Sequence, residues 1–409
     1  MKRVVVTGFG ALSPLGHDWP TVRAALKGGR NAVQVMEAWA QYDGLNTRLG
    51  APAQPFELPA HYNRKSTRSM GRVALMATRA SELALTDAGL LGDPLVRSGR
   101  MGVSYGSSAG TPAAIGDFGK MMQDKSTEGI NANTYIKMIS HTAAVNIGVF
   151  FGLTGRIITT SSACTSGSQG IGYAFEAIQS GRQVAMLAGG SEELDATEAA
   201  VFDTLFATSV RNDAPELTPR PFDSKRDGLV LGEGACTLVL EELEHALARG
   251  ARIHAELVGW GTNSDGTHVT HPNAATMAQT MRLALVDARL TPESIGYVNA
   301  HGTATEQGDT AESQATSEVL GARVPISSLK SYMGHTLGAC GALEAWMTIE
   351  MMREGWFAPT LNLEEVDPLC GPLDYITGNG RVIATDVVMS NNFAFGGINT
   401  SLIFRRWLG

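Results

Sequence analysis

The sequence predicts an α/β protein built from two similar halves, roughly residues 1–250 and 251–409. Three observations carry this. Short apolar runs rich in β-branched residues lack polar alternation, which suits strands buried on both faces. Helical stretches separate these runs, the pattern of layered α/β folds. One unit also occurs twice: Leu83-Ala84-Leu85 with Asp87-Ala88 and Leu90 recurs as Leu283-Ala284-Leu285, Asp287-Ala288 and Leu290. Each copy precedes a strand and is followed later by Ser-Ser (Ser161-Ser162, Ser327-Ser328), a Gly-rich turn and a helix.

Val4–Val6 opens the first half as a strand and runs into Thr7-Gly8-Phe9-Gly10. A dinucleotide fingerprint would need a third glycine where Ser13 stands, with Pro14 next, so a nicotinamide site is rejected. Arg64, Arg68 and Arg72 follow at i, i+4 and i+8 with Lys65 beside them, predicting one basic helical face above buried Met70, Val73 and Ala77. The strand Gly102–Tyr105 leads to Gly106-Ser107-Ser108-Ala109-Gly110, a G-x-S-x-G match that would make Ser108 a hydrolase nucleophile. Thr111-Pro112 is a weak start for the helix that such an elbow requires. Gly110 to Asn146 reads as an insertion, able to cover a site or form a subunit contact. Ile157–Thr160 and Val184–Ala188 are the next strands. The second half offers His254–Val258, Tyr297–Ala300, Val324–Ser327 and Val387–Ser390.

Composition narrows the class. The 409 residues are 44% hydrophobic, which excludes disorder, and only 18% charged. The 47 glycines and few charges point to tight turns, much buried surface and a subunit interface. A net charge of −8 argues against nucleic-acid binding. Cys164, Cys236, Cys340 and Cys370 form no C-x-x-C pair, so neither a metal site nor a disulfide scaffold is expected. Reduced thiols point to a cytoplasmic protein. Three apolar residues after Met1-Lys2-Arg3 are too few for a signal-peptide core. The uncharged run from Ile157 to Phe175 is too polar for membrane insertion.

The chemistry concentrates at three residues. Ile157-Ile158-Thr159-Thr160-Ser161-Ser162-Ala163-Cys164-Thr165-Ser166-Gly167 ends a strand in small residues and starts a helix at a cysteine. A helix N-terminus favours a thiolate, and its free amides can hold an oxyanion. His301 and His335 each follow a strand and sit beside glycine, where sites in α/β sheets gather. A buried structural cysteine and two structural histidines remain the plain alternative.

Taken in order, these motifs resemble the β-ketoacyl-acyl-carrier-protein synthases, the condensing enzymes of thiolase fold. The resemblance rests on Arg3 to Gly8, Ala163-Cys164-Thr165-Ser166-Gly167, Pro221-Phe222-Asp223 with Arg226-Asp227-Gly228, His301-Gly302-Thr303, Lys330 to His335, and Asn392-Phe393-Ala394-Phe395-Gly396-Gly397. It covers essentially the whole chain. It implies a five-layer α-β-α-β-α arrangement. The Cys-His-His set is similar to that of elongating members; initiating ones have Cys-His-Asn, and non-catalytic chain-length factors lack the cysteine. Ser328-Leu329-Lys330, Gly397-Ile398-Asn399-Thr400 and Phe206 depart from the fatty-acid type. With Leu337 to Gly341 and Trp346 they look similar to synthases of aryl polyene pigments.

The resemblance implies that Cys164 takes an acyl group from a carrier protein. His301 and His335 then stabilise the enolate left when malonyl-carrier protein loses carbon dioxide. By resemblance Lys330 supports the histidines, Glu344 pairs near Lys330, and Phe395 gates the acyl pocket beside Phe393. Thr303, Thr305 and Thr270 would line the path of the phosphopantetheine arm, which carries the substrates without any bound cofactor. Arg64, Lys65, Arg68 and Arg72 would dock the acidic carrier protein. A homodimer, or a heterodimer with a chain-length-factor-like subunit, is expected. A non-catalytic partner subunit and a Ser108 hydrolase are the competing readings.

Overall fold

The computed structural model describes all 409 residues. Strands of both halves hydrogen-bond into one eleven-stranded sheet. In the first half the order across the sheet is 157–159, 101–106, 185–192, 234–242, 4–12. In the second it is 325–327, 298–299, 387–394, 398–406, 255–264, with Asp374–Tyr375 added at the edge. Numbered along the chain within each half, both orders are 3-2-4-5-1, with matching parallel and antiparallel neighbours. The halves meet where Val4–Val6 pairs antiparallel with Ala255–Leu257.

Helices complete five layers. Arg72–Asp87 and Thr142–Phe151 cover the outer face of the first half, and Ala274–Ala288 with Glu306–Leu320 cover that of the second. Ser166–Gln179 and Cys340–Glu354 pack against each other and against strands of both halves, as the central layer. Their buried Ile171, Phe175, Leu343 and Met347 belong to the largest core cluster, together with Val4, Leu240 and Phe404.

The repeated Leu-Ala-Leu-x-Asp-Ala unit has a physical basis. Gly8 and Gly10 press the first strand onto the Arg72–Asp87 helix: a Cβ at Gly10 would lie 2.0 Å from the Ala80 carbonyl oxygen. Gly259 and Gly261 do the same in the second half, where a Cβ at Gly261 would lie 2.3 Å from the Thr280 carbonyl oxygen. The aspartate of each unit then accepts a strand amide, Phe9 N–H to Asp87 and Trp260 N–H to Asp287, both at 3.0 Å. Gly8 and Gly10 therefore serve helix–strand packing, which is why the dinucleotide fingerprint is incomplete. Gly261→Ala is expected to destabilise the protein by about 1–3 kcal/mol or more, because backbone atoms must move. Urea unfolding of the variant measures it.

The segment 110–146 folds largely into the helices Pro112–Asp124 and Ala132–Met138, and its last residues, mostly buried from Thr142 on, begin the helix that covers the outer face of the first half. Two expectations need correction. Ile157–Thr159 is an edge strand with Ile157 half exposed, so its apolar run does not mark burial on both faces. The basic face does not form as one helix. Arg64–Thr67 is a single turn, Gly71 interrupts, and Arg72 begins the next helix.

Candidate active site

Cys164 lies in a tight turn, Ala163–Thr165, between its strand and the Ser166–Gln179 helix. Ala163 holds a left-handed φ of 49°, and Leu337, in the equivalent turn of the second half, holds 43°. Such a step is uncommon outside glycine and turns the chain sharply. It presents Cys164 to a cavity of about 530 Å³ that Cys164, His301, His335, Thr303, Thr305, Thr270, Phe393 and Phe395 all line. No residue of 110–146 lines this cavity, so the insertion does not cover it.

The Cys164 sulfur and one ring nitrogen of each histidine lie within 4.8 Å of one another. The imidazoles of His301 and His335 are near-perpendicular, 5.0 Å between centroids. Each ring is held through Nδ1. The Leu337 amide donates to His335 Nδ1 at 3.3 Å, and the Lys330 ammonium donates to His301 Nδ1 at 3.2 Å. Both bonds place the ring proton on Nε2, so each histidine offers an N–H. His335 Nε2 is buried without a protein partner. Burial, then the Lys330 charge and His335, hold His301 well below its ordinary pKa; burial and then Lys330 do the same for His335.

Lys330 itself is almost fully buried. Burial pulls its pKa down most, but Glu344, Cys340 and Glu312 together leave it raised. The Lys330 Nζ–Glu344 Oε1 distance is 2.5 Å, and Asn392 donates to Glu344 Oε2 at 2.7 Å. Asn392 was not singled out from the sequence as an individual site residue. Nor were two carboxylates that fix the loops. Glu312 accepts the His301 and Gly302 amides, both at 2.7 Å, and burial pushes it up to about 8 against those bonds. Asp309 accepts from Phe222 and Ala304. Glu-Gln-Gly-Asp-x-Ala-Glu after His301 carried the signal, since acids on a helix aimed back at its N-terminal loop find free amides there.

Burial also pushes the Cys164 thiol up to about 11, while Lys330 and the Phe395 N–H pull it down. The helix N-terminus therefore does not give a resting thiolate, contrary to the simplest reading of the sequence. Two amides face the sulfur instead, that of Cys164 itself in the turn before the helix and that of Phe395 in the turn between strands 387–394 and 398–406. The Phe395 ring rests on Phe202, 5.1 Å between centroids.

Ser108 has no histidine partner. Its hydroxyl donates to Glu192 at 2.5 Å, its amide donates at 2.7 Å, and the Gly338 amide joins them at 3.0 Å. Glu192 was also not anticipated; it ties the Ser108 turn to the turn after His335. The hydrolase reading is dropped: fluorophosphonate labelling of Ser108 is not expected, and Ser108→Ala should leave Cys164 alkylation intact. Among the basic residues, Arg64, Lys65 and Arg68 have no ion pair. Arg72 is clamped by both oxygens of Glu233 and sits over the Phe56 ring, so it is not a free docking cation.

The chain matches the family model for the N-terminal domain of beta-ketoacyl synthase over residues 1–246 and that for the C-terminal domain over 254–364. The chain belongs to the β-ketoacyl synthase family. It is 38% identical to 3-oxoacyl-[acyl-carrier-protein] synthase 2 of Synechocystis, over 99% of this chain and 98% of that one. A beta-ketoacyl synthase from Burkholderia phymatum, known from its crystal structure, is 63% identical with a TM-score of 0.98 over the whole of both chains. AntDE, a ketosynthase seen with the type II polyketide acyl-carrier protein AntF, is 31% identical with a TM-score of 0.88 over 99% of each chain. This ketosynthase is thus an acyltransferase of thiolase-like fold. No helix is long and apolar enough to cross a membrane.

The histidines set a pH dependence of stability. Their folded pKa values lie below those of the unfolded chain, near 6.5. Below that pH the unfolded state binds protons that the folded state refuses, so their contribution falls with pH. Carboxyls raised by burial, such as Glu312, act in the opposite sense. The difference between variants isolates the histidines. From pH 7.5 to 5.5, wild type should lose more urea stability than His335→Asn; equal losses would show that His335 is not held neutral.

Proposed function

We propose that this ketosynthase catalyses the decarboxylative condensation of malonyl-carrier protein with an acyl group parked on Cys164, giving a 3-oxoacyl-carrier protein two carbons longer. The observation that carries it is the pair of inward Nε2–H donors, from His301 and His335, beside a buried thiol.

In the first step the Cys164 sulfur attacks the acyl thioester carbonyl. The tetrahedral oxyanion lies against the amides of Cys164 and Phe395. The carrier's thiolate leaves and takes the proton that Cys164 loses, so no net charge appears. In the second step the malonyl group loses carbon dioxide, and its thioester oxygen becomes an enolate. Both Nε2–H groups donate to that oxygen, and being neutral they have no proton to lose to bulk water at pH 7. The enolate carbon attacks the Cys164 thioester, the new C–C bond forms, and the Cys164 thiolate departs and takes a proton from water, the one proton the overall reaction consumes. Lys330, held by Glu344, keeps His301 in the donating tautomer. Thr303, Thr305 and Thr270 offer hydroxyls along the cavity wall for the phosphopantetheine amides.

Carrier protein docks at Arg64, Lys65 and Arg68 in this reading. The partner subunit, a second copy or a chain-length-factor-like chain, covers the free edge at Ile157 and exposed Val149. Residues 1–250 and 251–409 act as nucleophile half and histidine half. The departures at Ser328, Ile398 and Phe206 support an aryl polyene rather than a housekeeping fatty acid role in this reading. The test is release of labelled carbon dioxide from malonyl-carrier protein with matched formation of 3-oxoacyl-carrier protein, alone and with a candidate partner. Product without Cys164, or none under any pairing, would overturn the reading.

A further inference from the structure

Ala163 and Leu337 are the left-handed residues of the two equivalent turns. Three positions after each stands the first residue of a central helix, Ser166 or Cys340. These two equivalent residues do different things. Ser166 serves its own turn: its hydroxyl donates to the Ala163 carbonyl at 2.7 Å and accepts the Ser162 amide at 2.9 Å. Cys340 reaches across to the other half. Its thiol donates to the Cys164 carbonyl oxygen at 3.2 Å, and Asn392 donates to the same sulfur at 3.6 Å. Cys340 is fully buried and does not line the catalytic cavity, so it does not touch substrate.

A thiol has one weak donor and a weak acceptor, and both are used here. The two bonds join the backbone of the nucleophile to an anchored chain of groups. Asn392 donates to Glu344 at 2.7 Å, Glu344 holds Lys330 at 2.5 Å, and Lys330 donates to His301 at 3.2 Å. The Cys164 carbonyl is the far end of that chain. Its position matters because the turn is strained at Ala163, φ 49°, and such a step persists only where its surroundings fix it. The Cys164 sulfur must stay beside its own amide and that of Phe395. A carbonyl left free lets the peptide planes on either side of the Cys164 Cα swing, and the sulfur loses its aim at those amides.

We propose that Cys340 is a positioning residue: its S–H fixes the Cys164 carbonyl, and with it the aim of the nucleophile, against the Asn392–Glu344–Lys330–His301 chain. The inference rests on the ketosynthase reading and concerns its loading step. The histidine donors do not depend on Cys340, because Lys330 and the Leu337 amide hold them directly. A defect at Cys340 therefore falls on loading far more than on decarboxylation.

The test compares Cys340→Ala with Cys340→Ser, which differ by one hydroxyl. Two rates are followed. One is loading of Cys164, by intact protein mass, from whichever of octanoyl- and aryl-enoyl-carrier protein loads the wild type faster. The other is carbon dioxide release from malonyl-carrier protein given alone. Cys340→Ala should lower the maximal loading rate about three- to tenfold, the worth of one neutral hydrogen bond, with the KM for the acyl donor within about twofold of wild type. Cys340→Ser should bring the loading rate back to within about twofold of wild type, since its hydroxyl donates to the same carbonyl. Carbon dioxide release should fall by less than about twofold in both variants. Alanine and serine variants that load alike, or loading and carbon dioxide release that fall together, overturn the proposal while the ketosynthase reading stands. No loading of the wild type from either acyl donor overturns both.

Discussion

Cys164→Ala is expected to lose acyl loading altogether and to lower condensation by on the order of 10⁴-fold or more. The fold should not suffer. Cys164 sits in a cluster of small and apolar side chains, and removing one sulfur there leaves only a small void. The variant keeps both Nε2–H donors, because Leu337 and Lys330 set them without help from the thiol. Decarboxylation of malonyl-carrier protein should therefore survive in Cys164→Ala at a rate well above that in His301→Ala or His335→Ala. Carbon dioxide release measured in the three variants separates the two half-reactions. Equal loss in all three would show that the histidines do not act on the malonyl group independently of the nucleophile.

Glu344→Ala is expected to be the most damaging single change for stability. It leaves the Lys330 ammonium buried without its counter-charge and leaves Asn392 without its acceptor. Breaking a buried pair by removing one partner costs about 3–5 kcal/mol. Lys330 would then lose its proton or move, and His301 would lose the donor that fixes its tautomer. Glu344→Gln keeps the hydrogen-bonding shape and should cost distinctly less. Urea midpoints report the first effect, and carbon dioxide release from malonyl-carrier protein reports the second. A Glu344→Ala protein as stable as wild type would mean that Lys330 and Glu344 are not held as an ion pair in the folded state.

Much of this was legible in the sequence, for identifiable reasons. The nucleophile was visible because Ser161-Ser162-Ala163-Cys164 ends a strand in residues small enough to admit substrate. The duplication was visible because Asp87 and Asp287 each accept a strand amide, and the glycines of each first strand need short side chains opposite them. Lys330 and Glu344 came by resemblance, and the structure joins them directly.

What was hidden depends on contacts distant along the chain. Glu192 bonds Gly338, and Arg72 bonds Glu233; neither spacing leaves a local pattern. Arg64, Arg68 and Arg72 matched a helical period, yet Gly71 broke the helix between them. Ile157 read as buried because β-branched strands look alike at the centre and at the edge of a sheet. The thiol's protonation was misjudged because burial opposes a helix terminus, and only the folded structure shows that burial wins.

The most direct test of the central claim follows the intact mass of the protein through one cycle. It is mixed first with acyl-carrier protein, then with malonyl-carrier protein. The account predicts a mass gain of one acyl group, absent in Cys164→Ala, that the malonyl donor discharges as 3-oxoacyl-carrier protein. A gain that persists in Cys164→Ala, or one that malonyl-carrier protein cannot discharge, would contradict it.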